Sequence, residues 1–215
     1  MGLFISENLP SLGCMKQIFR IALAPVFALA LAVPAVADAI PLGQISNYLN
    51  GLTTVQSKFT QVNADGSIST GTVYIKRPGR ARFEYDNDNT LVIAGGSQVG
   101  IFDGKSNLSR PEQYPLSKTP LKLILDRNVN LAQSGMVTNH REDGAKTIVT
   151  AQDPAHPEYG NIQMVFTAQP TELRQWVVTD DTGAKTTVIL GDLQKGGTMG
   201  ASLFSIKTEQ IKRGG

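Results

Sequence analysis

Apolar residues recur at helical spacing in residues 41–52, where Leu42, Ile45, Leu49 and Leu52 fall three, four and three apart. That spacing predicts a helix with one apolar face. Val55 and Phe59 carry the pattern into a strand ending near Val62. Beyond it the alternation has period two, and strands are predicted over 68–76, 81–85, 90–94, 99–102, 136–139, 147–151, 162–167, 175–179 and 186–190. Asp65-Gly66, Asp86-Asn87-Asp88-Asn89, Gly95-Gly96, Asp103-Gly104, Asp143-Gly144 and Asp181-Thr182-Gly183 punctuate them as turns, and Asp-Gly between alternating segments signals a hairpin. One stretch differs. Residues 119–128 read as a second helix, with Thr119 as N-cap, Pro120 at the first helical position, and Leu121, Ile124 and Leu125 on its apolar side. The pattern as a whole predicts a mainly β domain, one large antiparallel meander of about ten strands that twist alone would curl. The two short helices are the segments available to cover its concave face as a lid. Periodicity leaves open whether the interior is a filled core or a cavity.

One side chain stands apart from this pattern. In Gly71-Thr-Val-Tyr-Ile-Lys-Arg-Pro-Gly-Arg-Ala-Arg-Phe-Glu-Tyr85, Arg77 shares the parity of Val73, Ile75, Phe83 and Tyr85. Alternate strand residues share a face, so the guanidinium lies on or beside an apolar face. It either reaches water at the rim, closing the Arg77-Pro78-Gly79 turn, or is held by acceptors.

Residues 1–37 read as a secretory signal peptide. Lys16 and Arg20 precede an apolar run over 21–33, followed by Pro34-Ala35-Val36-Ala37 with its Ala-x-Ala cleavage pattern. Residues 1–14 read as an over-called start, because the basic region begins near Met15. Residues 38–215 form a single expected domain. They hold no cysteine, so core packing must stabilise an exported protein without disulfides. Setting aside Lys16, Arg20 and Glu7 leaves 18 basic and 17 acidic residues. So near-neutral a chain is not built around nucleic acid.

Catalytic and metal patterns are sparse. The two histidines, His140 and His156, fit no metal-ligand spacing, and His156 is expected in an exposed loop. No nucleophile elbow, phosphate-binding loop or dinucleotide fingerprint occurs. Asp86-Asn87-Asp88-Asn89 lacks the glycine and distal glutamate of an EF-hand and reads as a polar turn. The expectation is a protein with no cofactor, no metal and no enzymatic activity.

Phe59-Thr60-Gln61, then Lys76-Arg77-Pro78-Gly79 with Arg82-Phe83-Glu84-Tyr85, then Phe102-Asp103-Gly104-Lys105 and Thr119-Pro120-Leu121, resemble the LolA family of periplasmic outer-membrane lipoprotein carriers in both order and spacing. The resemblance implies an unclosed half β-barrel under a short α-helical lid. It implies a monomer that takes lipoproteins from an inner-membrane ABC transporter, shields their acyl chains and delivers them to an outer-membrane acceptor. It places the family's lid-gating arginine at Arg77. It also promotes Ile45, Leu49, Leu52, Val55, Phe59, Val73, Ile75, Phe83, Tyr85, Leu121, Ile124 and Leu125 from plain core to candidate acyl-chain cavity. Ala81 and Phe83 stand where the family often carries a bulkier aromatic pair, so a cavity of different shape is expected. The polar C-terminal stretch 208–215 is expected to carry no role. The competing reading keeps the fold and makes the chain a periplasmic lipid-sensing or regulatory module. A lipid hydrolase, or a purely structural β-protein, accounts for less of the pattern.

Overall fold

The computed structural model describes residues 38–106, 110–133 and 135–214; the signal-peptide reading of residues 1–37 lies outside them. The first helix, α1 (Leu42–Gly51), buries Ile45 and Leu49 on the predicted face. Among the described residues twelve strands follow its C-terminal end, two more than the alternation predicts: β1 (Thr54–Val62), β2 (Ile68–Lys76), β3 (Arg80–Tyr85), β4 (Leu91–Gly95), β5 (Gln98–Phe102), β6 (Glu112–Pro115), β7 (Val137–Asp143), β8 (Lys146–Gln152), β9 (Asn161–Ala168), β10 (Thr171–Thr179), β11 (Lys185–Leu190) and β12 (Gln194–Lys195). The unforeseen pair are β6 and β12. Each is too short and polar to show a period.

All pairings are antiparallel, and the order is β6-β5-β4-β3-β2-β1-β11-β10-β9-β8-β7, with β12 added beside β1. The end strands β6 and β7 do not pair with each other, so the barrel is unclosed. The curl is nevertheless deep. Four strand steps of ~4.8 Å separate β3 from β10 along the sheet, yet the rings of Phe83 and Trp176 stand 6.3 Å apart, edge to face. The two halves therefore meet across the concave side.

A β-bulge between Leu173 and Gln175 adds one residue to β10. It lets Leu173 and Trp176, of opposite parity, both enter the core. The bulge explains why alternation predicts a strand only from residue 175.

The second helix departs from expectation. α2 spans only Lys122–Leu125, with Leu121 at its N-cap position. The Thr119 hydroxyl does not cap it and instead donates to Leu116 O, closing a preceding 3-10 turn. Leu123, Ile124 and Leu125 are its buried residues, while Leu121 is only half-buried. A single turn can bury successive residues because it is wrapped by its neighbours on more than one side.

The C-terminal stretch is also structured. Ser205 Oγ accepts from Thr208 N at 3.1 Å and caps a third helix, α3 (Ile206–Lys212). This helix lies on the convex side, where Leu91, Ile93 and Phe102 form a second, smaller core with Ile206 packed against it. β4 is therefore apolar on both faces, with Leu91 and Ile93 toward α3 and Val92 and Ala94 toward the main core.

Candidate functional site

Arg77 immediately follows β2, in the three-residue connection to β3 where Gly79 takes φ +69. Left-handed φ suits glycine. The guanidinium reaches across to both helical segments of the lid. Nη1 donates to Leu49 O near the end of α1, and Nη2 donates to Asp126 O just past α2. A longer contact of 3.3 Å joins Nη2 to Asn50 Oδ1. Helix ends leave carbonyls without intrahelical partners, and a planar five-donor group can hold several at once. The turn adds its own backbone bond, Gly79 N to Leu125 O at 2.8 Å. Arg77 Nε is buried without a partner. Burial pulls the guanidinium's pKa below its usual value, and the neighbouring Asp126 carboxylate opposes the shift.

Two polar residues that the sequence reading passed over tie the lid together. Asn50 accepts from Val129 N at 2.9 Å and donates to Val129 O at 2.8 Å. Ser46 Oγ accepts from Leu131 N at 2.9 Å while donating to Leu42 O. Thus α1 and the segment after α2 behave as one unit, fastened to the sheet through Arg77 and Gly79. Asn50 and Ser46 escape an apolar-periodicity search because their role is to satisfy a backbone 79 to 85 residues away.

The candidate acyl-chain residues do not line one cavity. Beneath the lid, Leu49, Leu52, Val55, Val73, Ile75, Ile124 and Leu125 surround only about 20 Å³, together with Arg77, Leu173, Leu190 and Leu193. Phe83, Tyr85 and Leu121 instead line an open hollow of about 680 Å³. Ile45 and Phe59 border neither space and are packed in the core, 0% and 3% exposed. Most of the hollow's apolar wall was not foreseen: Val92, Val99, Ile101, Tyr114, Trp176, Val178 and Val188. Several of these lie on strands buried on both faces, where parity does not say which side is the interior. Its rim carries Glu112, Lys118, Asp180 and Asp181.

Aromatic rings cluster at the wall of the hollow. Phe59 meets Phe83 and Tyr85 edge to face at 5.6 and 5.3 Å, and Phe83 meets Trp176. Tyr85 OH donates to Gln61 at 2.9 Å, and burial raises its pKa. A second groove of about 680 Å³ has walls that include Gln56, Tyr74, Arg82 and Lys195. Arg82 there is already paired to Glu84 and Glu209, so that groove does not suit an acyl chain.

Neither histidine is placed for catalysis. His140 Nε2 bonds Ile40 O at 3.0 Å, and His156 stacks on Tyr159 beside Glu158. Among the described residues no group of three His, Cys, Asp or Glu could hold a metal ion.

Residues 50–207 match the family model for outer membrane lipoprotein carrier protein LolA. An outer-membrane lipoprotein carrier protein of Coxiella burnetii is 33% identical over 138 residues, which take in 60% of this chain and 60% of that relative's own length. A second, from Azotobacter vinelandii, is 22% identical across 90% of this chain and 96% of the relative. Among solved structures, a LolA superfamily protein of Nitrosomonas europaea aligns with 78% of this chain and 98% of its own, at 10% identity and a TM-score of 0.43. That likeness is too distant to add weight to the sequence match. A model match that spans most of the chain makes this protein a member of the LolA family of outer membrane lipoprotein carrier proteins.

Proposed function

We propose that this chain is a periplasmic lipoprotein carrier. In this reading it takes lipoproteins from an inner-membrane ABC transporter, shelters their acyl chains on the concave face, and passes them to an outer-membrane acceptor. The observation that carries the reading is an open apolar hollow on the concave face, beside a lid that the half-buried Arg77 ties to the sheet.

Magnitudes explain why such a latch is useful. Each buried methylene contributes about 0.8 kcal/mol, so one long acyl chain is worth about 10 kcal/mol gross. A rigid, fully complementary cavity would release such cargo too slowly to be a carrier. Hydrogen bonds to a charged group contribute about 1.5–3 kcal/mol each, and cargo that opens the lid must break Arg77's. Those bonds offset part of the binding energy and keep cargo transferable to a stronger acceptor.

Residues 38–215 incubated with ATP and inner membranes that hold newly made lipoproteins test the reading. One-to-one soluble complexes of lipoprotein with the protein are the expected result. No release, from membranes that do respond to a known carrier, would overturn it in favour of lipid sensing on the same fold.

A further inference from the structure

The concave face is divided, and the division has a consequence for which ligands must open the lid. A methylene fills about as much space as a water molecule, ~30 Å³ in the liquid. A chain of about sixteen carbons therefore needs roughly 500 Å³, and two need roughly 1,000 Å³. The open hollow, at about 680 Å³, holds one such chain and not two. The space beneath the lid, at about 20 Å³, holds none. The Phe83–Trp176 contact, made across the curl of the sheet, forms part of the hollow's wall, and Val73, the cross-strand partner of Phe83, borders the space beneath the lid. No lid backbone bond of Arg77 or Gly79 involves a residue lining the hollow, although Lys118, Thr119, Pro120 and Leu121, which lead into α2, form part of its wall.

We propose that the hollow is a preformed receptor for a single acyl chain, and that Phe83 and Trp176 form an internal partition that only a second chain must displace. The inference rests on the carrier reading and deepens it. One chain enters without disturbing Arg77. A second has to part the rings, spread Leu49, Ile124 and Leu125, and break the guanidinium's bonds to the lid. Coupling between cargo and latch thus begins with the second chain, so singly acylated molecules occupy the protein without switching it. The latch then discriminates by chain number, since a ligand shifts a two-state element only by its differential affinity for the two states.

Trp176 is the only tryptophan in the chain and lines the hollow, so its emission reports occupancy. The amide of Gly79, bonded to Leu125 O across the junction of sheet and lid, reports the latch through hydrogen exchange, and that of Val129, bonded to Asn50 Oδ1 within the lid, reports whether the lid stays intact. The probes are a palmitoyl lysophospholipid below its micelle concentration and a synthetic dipalmitoyl lipopeptide. The single-chain probe is expected to shift Trp176 emission at one-to-one stoichiometry and leave both amides protected. Its affinity for wild type and Arg77→Leu should agree within about twofold. The two-chain probe is expected to deprotect the Gly79 amide and to bind Arg77→Leu at least about tenfold more tightly, the factor that corresponds to one charged hydrogen bond. Val178→Phe, which narrows the hollow and leaves the latch alone, should weaken the single-chain probe about tenfold or more. Deprotection by the single-chain probe, or equal strengthening of both probes by Arg77→Leu, would overturn the partition while leaving the carrier reading intact. Failure of both probes to bind either protein would overturn both.

Discussion

Arg77 combines five donors with half-burial, and its bonds go to backbone carbonyls from two lid segments rather than to a carboxylate. A backbone acceptor cannot be lost by titration, so these bonds should be insensitive to pH across the neutral range. Arg77→Leu keeps a shorter apolar stem and removes every donor. If the carrier reading holds, this variant takes up lipoprotein normally and fails to hand it on, as read by transfer from a soluble complex to outer membranes. Normal delivery would rule out the latch. Arg77→Lys should be intermediate, since one ammonium cannot span the planar fork's two acceptors. Asn50 tests the other half of the fastening. Asn50→Ala leaves Val129 N–H and C=O, at a buried residue, without their partner, and should cost about 1–3 kcal/mol in urea unfolding. At this scale Arg77 was legible in advance, because a cation on apolar parity needs an explanation. Asn50 and Ser46 were not. Their partners, Val129 and Leu131, come close only when the chain folds back over the sheet.

Among the elements, α3 shows how a polar stretch earns a structural place. Glu209, only 12% exposed in its side chain, accepts from Arg213 at i+4 and pairs with Arg82 of β3 at 3.3 Å. Arg213 in turn lies over the Phe102 ring at 4.9 Å. The local signals are present: Ser205 as N-cap, Ile206, and a Glu-Arg pair four apart. What the sequence could not supply is the apolar convex patch of Leu91, Ile93 and Phe102 on which Ile206 rests. Glu209→Ala leaves Arg82 largely buried with Glu84 as its remaining acid partner. It should lower stability by about 1–3 kcal/mol, and hydrogen exchange should rise first in α3. Uniform loosening of the whole sheet instead would show that α3 is no separate unit. The second helix teaches the opposite lesson. Thr119-Pro120-Leu121 has the local chemistry of a helix start, yet the Thr119 hydroxyl bonds backward to Leu116. Local capping preference yielded to the preceding 3-10 turn, and α2 is left as one turn.

Taken whole, the molecule is a single curled sheet whose two edges never meet, with a main core inside and a smaller one outside. Its titrating groups set where that arrangement fails. Asp180 accepts from Thr182 and Ala184 in the turn before β11, and the Thr182 hydroxyl bond is the largest cause of its lowered pKa. Asp88 and Asp65 are lowered in the same manner by Thr90 and Ser67. Lowered folded values mean stability that is present above the ordinary carboxylate range and lost as pH falls through the depressed values. Tyr48, Tyr85 and Tyr114 are raised, chiefly by burial, so their share is present below the ordinary phenol range and lost as pH rises through the raised values. A melting temperature that is flat near neutrality and falls at both extremes is expected. Asp180→Ala should flatten the acid limb, and an unchanged acid limb would remove Asp180 from that account.

The sequence by itself determined the class of the fold, nine of the twelve strands as recognisable alternating segments, the apolar face of α1, and the odd cation at Arg77. Each of these is written in neighbours two, three or four positions apart, where strand and helix geometry make spacing equivalent to facing. β1 was legible too, as the strand pattern running from Val55 to Val62. Only the tertiary structure decided which inward residues share a space. Val73 and Phe83 are direct cross-strand partners, yet one borders the tight region under the lid and the other the open hollow. Side-chain parity assigns a face of the sheet. How that face is divided depends on the curl that brings Trp176 against Phe83 from the far side of the barrel, and curl is a property of the whole sheet.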